Sequence, residues 1–299
     1  MTGLLNLIRR NSKVFFKDKG MFFTSLITPV ILLVLYVTFL AKVYRDSFTS
    51  ALPQGAAASE SLINATVGGE LFSSLLAVAC VTVAFCSNML MVQDKVTGAR
   101  NDLLVSPVRS WTLALSYYIS TFITTLVICL AATGISFIYL ANVGWYLSGQ
   151  DIALIFLDIA LLSMFGVALS SVINFFLSSQ GQISAVGTIV SAGYGFICGA
   201  YMPISQFNQG LQNVLSFLPG TYGTSLIRNH ALAGVFTEME ARHYPDQVIE
   251  AIKDSVDCNI YFMGDKVDTT TMYIVLTAGI LGLIAVYLLL NFIRSKKIS

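Results

Sequence analysis

The chain has 299 residues, of which 56% are hydrophobic and 11% charged, with a mean hydropathy of +0.75 and a formal net charge of +1. A soluble domain carries roughly 25% charged residues, so an ordinary water-soluble globule is excluded. Several runs of about 20 apolar residues, the length that a hydrocarbon core about 30 Å thick demands, also leave no room for a large soluble catalytic domain.

The leader comes first. Leu4, Leu7, Ile8, Val14 and Phe15 recur at near-helical spacing with basic residues on the other faces, which predicts an amphipathic interfacial helix over residues 1–20. Apolar runs at 21–41, 71–92, 113–141, 152–177, 183–199 and 272–293 predict six transmembrane spans. The first run is too long for a signal-peptide core and no A-x-A-like site follows it, so it is taken as a retained span. Trp111 and Trp145 flank the third span, where amphipathic rings prefer to sit. The stretch 203–233 is apolar but broken by Pro219, Gly220 and Gly223, and Leu211, Val214, Leu215 and Leu218 give its first limb one apolar face. This predicts a re-entrant hairpin between the fifth and sixth spans. An acidic outer loop, 234–271, follows and is expected to form a solvated cap. The fold class is thus an all-α membrane protein, a leader helix followed by a six-span domain over 21–299.

Charge sets the orientation. With six spans, eleven basic residues, including Arg9, Arg10, Lys13, Lys17, Lys95, Arg100 and Arg294, share one side with only Asp18, Asp94 and Asp102, a net of +8. The other side holds six basic residues, Arg228 among them, against twelve acidic ones, including Glu70 and Asp257, a net of −6. The positive-inside rule makes the first side cytoplasmic, with both termini there.

Within the spans, Gly187, Ser191, Gly195 and Gly199 repeat every four residues, a ridge that permits close helix packing inside one protomer or across a dimer seam. Asp158 is the one formal charge well inside a span, so it either serves transport or is satisfied by water or a polar neighbour. Phe85, Asn88 and Met89, with Tyr194, Tyr201 and Met202, mix aromatic, amide and thioether surfaces that suit an amphipathic substrate, though the same residues at helical spacing also serve packing. No metal site is expected from five scattered cysteines, Cys80, Cys86, Cys129, Cys198 and Cys258, and two histidines, His230 and His243. Neither a Ser-His nor a di-Asp protease centre is supported, so no catalytic residue is expected. Leu147-Ser148-Gly149-Gln150 superficially matches an ABC ATPase signature, yet it falls in a short outer turn and the chain lacks a G-x-x-x-x-G-K-[ST] phosphate loop.

The loop 93–109 carries charge at its start, then an apolar stretch, then Ser106-Pro107, which predicts a short helix over 96–105 ended by the proline. Asp94-Lys95, Gly98, Leu103-Leu104 and Ser106-Pro107-Val108 resemble the first cytoplasmic loop of type-2 ABC exporter permeases. Gly199-Ala200-Tyr201-Met202-Pro203, Leu218-Pro219-Gly220-Thr221-Tyr222 and Leu226-Ile227-Arg228 are similar to that family's fifth-span exit and re-entrant hairpin. The resemblance covers nearly the whole chain, departing from it in the long acidic outer loop.

The resemblance implies the permease subunit of an ATP-driven exporter of amphipathic or hydrophobic substrates in a bacterial inner membrane. It would work with a second permease copy, or a homologous one, and two separate ATPase subunits. ATP and Mg would bind those partners, with no cofactor on this chain; membrane lipid is a further partner and nucleic acid is not. The coupling helix would present Val96, Thr97, Gly98, Arg100, Asn101, Asp102, Leu103, Leu104 and Pro107 to the ATPase, and the pathway would follow the second and fifth spans. The alternative is a membrane scaffold or sensor whose acidic outer loop binds a ligand. A secondary transporter has less support, since paired intramembrane charges and inverted repeats are lacking.

Overall fold

The computed structural model describes residues 2–51, 59–105 and 108–296. The leader forms α1 (Thr2–Lys17), and Asp18 accepts a hydrogen bond from the Met21 amide at 3.1 Å to cap α2 (Lys19–Leu35), which is bent by 73° from α1. Through a π-helical turn at Tyr36–Leu40, α2 runs on into α3 (Ala41–Ala51). The helix therefore continues past residue 41, the expected end of the first apolar run, into a polar segment with Lys42, Arg45 and Asp46. In that turn Thr38 Oγ1 donates back to the carbonyls of Val34 and Leu35 at 2.9 and 3.1 Å.

Ser59 caps α4 (Glu60–Val96), whose 37 residues make a rod about 55 Å long at 1.5 Å per residue. Its most apolar stretch is 94% buried. Around it stand α2, α3, α6 (Ser110–Val143), α7 (Gly149–Phe176), α8 (Gln180–Ile197) and α10 (Pro219–Ala241), while the short α5 (Ala99–Val105) hangs from its end. A 3-10 turn at Ile204–Gln206 and α9 (Gln209–Leu215) connect α8 to α10; α11 (Asp246–Ser255) and an antiparallel hairpin, β1 (Ile260–Phe262) with β2 (Asp265–Val267), follow. The chain returns along α7 and α10 as α12 (Thr269–Lys296), and α1 lies against α6.

Four helices, α4, α6, α7 and α12, are each long and apolar enough to cross a membrane, and the bent α1–α2 pair is a fifth candidate. The predicted fifth span, α8, is helical but carries Gln180, Gln182 and four glycines and does not qualify on apolarity. The protein is an all-α multi-pass membrane protein with one small extramembrane hairpin. Trp111 and Trp145, both partly exposed, flank α6 as expected.

Three expectations change. The outer loop is not one solvated cap: residues 234–241 continue α10, and Val248, Ile249, Ile252, Val256 and Asp257 are buried against the bundle. The limbs of the expected hairpin are unequal, 7 residues in α9 against 23 in α10. Glu70, Arg228 and Asp257, assigned from sequence to the outer face, are all buried. The signature-like Leu147-Ser148-Gly149-Gln150 is a helix start, where Ser148 and Asp151 form a reciprocal capping box on α7.

The approach of α7 to α4 is set at Gly166. A Cβ there would stand 2.8 Å from the Cys80 carbonyl oxygen and 2.9 Å from the Val81 Cα, backbone atoms that cannot swing away. Gly166→Ala is expected to lower stability by about 1–3 kcal/mol, the usual cost of overpacking. Gly134→Ala on α6, where nothing lies within 4 Å, should leave stability unchanged or raise it by about 0.5–1 kcal/mol through helix propensity. Thermal melts of the two purified variants check the contrast; equal melting temperatures would refute the packing account.

Candidate functional site

At one end of the bundle, α4 finishes in two adjacent charges that leave in different directions. Asp94 is buried; both its oxygens accept from the Arg10 guanidinium of α1, one of them from Nη2 at 2.9 Å, and Tyr117 Oη of α6 donates to it at 2.6 Å. The Asp94 carboxylate holds Arg10 above the ordinary arginine value. Lys95 Nζ donates to the carbonyls of Asn174, Phe175 and Leu177 at 2.9, 2.8 and 3.0 Å, satisfying the last turn of α7, where helix carbonyls lack partners. The Phe175 ring carries Lys95 and Arg294 of α12, each 5.6 Å from its centroid. Two consecutive side chains thus tie the end of α4 to α1, α6 and α7.

The chain then breaks. Val96 closes α4 rather than opening the next helix, as expected from sequence, and Thr97 caps α4. Gly98 adopts φ +84°, in the left-handed region that costs other residues roughly 1–2 kcal/mol. With that reversal α5 starts at Ala99. Asn101 and Asp102 are exposed and Leu103 is half-buried. Arg100 is half-buried with an Nε that has no hydrogen-bond partner among the described residues, and burial, then the charge of Arg294, lowers its pKa. Pro107 lies outside the described residues, as does the Leu104 side chain.

A groove of about 770 Å³ runs between α2, α4 and α8. Ile27 and Ile31 of α2 and Met89 of α4 supply apolar surface; Thr24, Ser184, Thr188 and Ser191 add hydroxyls, and Gln93 and Gln180 add amides. Of the pathway candidates, Met89 and Tyr201 line this groove. Phe85, Asn88 and Tyr194 face packing surfaces, and Met202 is half-exposed outside it. Asn88 Nδ2 donates to Ser170 Oγ at 3.0 Å and Ser171 Oγ at 2.9 Å on α7, a buried polar tie. Tyr194 Oη lies beside Gly220, where a Cβ would stand 2.7 Å from it.

The small-residue ridge is used within the chain. A Cβ on Gly187 would meet Met89 Cε at 2.6 Å, one on Gly195 would meet the Tyr201 ring at 2.4 Å, and the Ser191 carbonyl accepts from Tyr201 Oη at 3.4 Å. Gly199 turns the chain at φ +74° beside Asp257.

Two buried ionic nodes were not legible as partners. Arg228 of α10 is fully buried: Nη1 donates to the Val256 carbonyl at 2.9 Å and lies 3.5 Å from Asp257 Oδ2, while Nη2 donates to Ser74 Oγ at 2.9 Å and the Gly199 carbonyl at 3.1 Å. Asp257 in turn accepts from the amides of Ile204 and Ser205 at 2.5 and 3.2 Å. Farther along α10, His230 Nδ1 lies 2.6 Å from Asp158 Oδ2, and Tyr273 Oη of α12 donates to Asp158 Oδ1 at 2.6 Å. The intramembrane charge is therefore satisfied by neighbours. Sequence reasoning left His230 outside the spans and so did not pair it with Asp158, 72 residues away; no local pattern joins the two.

Among the described residues no group of three His, Cys, Asp or Glu side chains could hold a metal ion. The described residues thus form a multi-pass bundle with a central buried helix, a broken helix at its end and an amphipathic groove. The family model described as ABC-2 family transporter protein matches residues 46–293, most of the chain, and the protein belongs to that family. No curated protein matches.

Replacing Arg228 with Lys keeps the charge but cannot serve Ser74, Gly199 and Val256 from one planar fork. Arg228→Lys is expected to destabilise by about 1–3 kcal/mol per buried partner left unsatisfied. Arg242→Lys, at an exposed pair with Glu238, should leave stability unchanged. Denaturation of both variants in detergent checks the difference.

Proposed function

We propose that this chain is the membrane-spanning subunit of an ATP-driven exporter for amphipathic or hydrophobic substrates. It works as one of a pair of permeases, with ATP and Mg bound on two separate ATPase subunits. The observation that carries the proposal is the helix α5: a short helix set off from the buried end of α4 by a left-handed glycine, with Asn101 and Asp102 exposed. A partner that shifts α5 acts directly on α4, and through Asp94 and Lys95 on α1, α6 and α7. In this reading 93–109 is the ATPase-coupling segment and faces the cytoplasm, as the basic excess around it supports. The fifth crossing is α8, and α9 with the start of α10 forms the re-entrant hairpin. The groove between α2, α4 and α8 is the substrate path, with Met89 and Tyr201 on its wall and hydroxyls beside apolar surface to suit amphipathic cargo.

The scaffold or sensor alternative has less support, because it needs an independent acidic loop. Asp257 of that loop is instead enclosed with Arg228 in the bundle.

Co-expression of the chain with its ATPase, followed by measurement of ATP hydrolysis with and without the permease, tests the proposal. Gly98→Ala, which strains the left-handed turn, and Arg100→Glu, which reverses the charge on α5, should each reduce permease-dependent hydrolysis by about tenfold, within the usual range of inter-site coupling. Complex formation with Arg9→Gln should be retained. Hydrolysis unchanged in both α5 variants would overturn the assignment of that helix, and failure to recover any ATPase would overturn the exporter reading.

A further inference from the structure

The leader helix α1 has three faces. Leu7, Asn11 and Phe15 are buried against the bundle; Leu5 and Phe16 form an exposed apolar flank; Arg9, Lys13 and Lys17 form an exposed basic stripe beside it. The 73° bend at Asp18 means that when α2 enters a bilayer, α1 runs along the bilayer surface. Its apolar flank then meets the acyl region and its basic stripe the headgroups.

A shallow groove of about 800 Å³ follows the stripe, lined chiefly by Arg9, Arg10, Lys13, Lys17 and Asp18. Asp18 also lines the groove while it caps α2; its single negative charge leaves the groove net positive. Among the described residues, Arg9, Lys13 and Lys17 take part in no ion pair; Arg10 is paired, with Asp94. A net positive groove with three unpaired basic side chains calls for an anion, and the apolar flank beside it calls for one with acyl chains.

We propose that this groove binds the phosphodiester headgroup of an anionic phospholipid, and that Arg10 reports its occupancy to the end of α4. Arg10 lines the groove and also holds Asp94, three residues before Thr97 and the Gly98 break. A phosphate seated between Arg9 and Lys13 competes with Asp94 for the Arg10 guanidinium and loosens the anchor from which α5 hangs. Lipid composition would thereby set how firmly the segment 97–101 is held. This rests on α2 entering a bilayer and needs no ATPase, so it stands or falls separately from the exporter reading.

Titration of the purified full chain with dioleoyl-phosphatidylglycerol and dioleoyl-phosphatidylcholine, read by native mass spectrometry, tests the site. Near an anionic surface each Lys or Arg contributes a factor of about five in affinity, so the glycerol lipid should bind about 100-fold more tightly at low salt. Preference should fall about fivefold in Lys13→Gln alone, vanish in the combined R9Q, K13Q and K17Q variant, and survive in Arg9→Lys. Equal binding of the two lipids to the wild type would overturn the site. So would displacement of the lipid by inorganic phosphate, which marks a free-anion site, or preferential capture of a poly-glutamate peptide, which marks a protein-docking surface. Hydrogen exchange at 97–101 tests the link: it should accelerate at least twofold on addition of phosphatidylglycerol, and only when the basic stripe is intact. An unchanged rate would overturn the role given to Arg10.

Discussion

A helix enclosed by other helices has no lipid face, so its buried polar groups draw partners from its own preceding turn, as Thr66, Ser73 and Thr82 do, or from neighbouring helices. The helix α4 is in that position over its most apolar stretch, and its longer polar and charged side chains reach the helices around it. Ser74 receives Arg228 from α10, Asn88 reaches Ser170 and Ser171 on α7, Asp94 takes Arg10 from α1 and Tyr117 from α6, and Lys95 closes the last turn of α7. Each tie goes to a different place on the ring of surrounding helices. Between the ties, close contact with α7 depends on Gly166 lying against backbone atoms of Cys80 and Val81.

This arrangement gathers charge into separate clusters, one at the end of α4 and one beside Ser73 and Ser74 within it. In the first, the Asp94 and Lys95 anchors precede the Gly98 break, so α5 continues from the most constrained rod in the protein by way of a single left-handed residue. In the second, Arg228 and Asp257 join α10, the exit from α8 and the segment after α11 into one buried cluster. Charges so enclosed are costly unless paired and hydrogen-bonded, which is why the outer segment folds back onto the bundle rather than standing off as a solvated cap.

Much of the architecture was legible because its causes are local. The amphipathic leader, the long apolar rods, the short helix after the second rod and the tryptophans flanking α6 all follow from spacing along a few turns. The misreadings arose where the cause was remote. One exception is local: Val96 continues α4 because the break falls two residues on, at the left-handed Gly98. The long run of α10 reflects burial of Val235, Phe236 and Met239 by other elements. Phe85, Asn88 and Tyr194 carry the right chemistry for a pathway, but the rotation of their helices turns them toward packing surfaces.

By itself the sequence determined the class of protein, because bilayer thickness and the cost of unpaired backbone act on contiguous segments and can be read from one stretch at a time. It also determined which end is basic and where the short helix after α4 would lie. Only the tertiary structure decided who pairs with whom: Asp158 with His230 and Tyr273, Arg228 with Asp257, Asp94 with Arg10, the small-residue ridge with Met89 and Tyr201. Apart from Tyr201, which folds back on Gly195 six residues earlier, these partners stand far apart in the chain, and a buried charge or a close helix contact selects its partner by position in space, which no local pattern encodes.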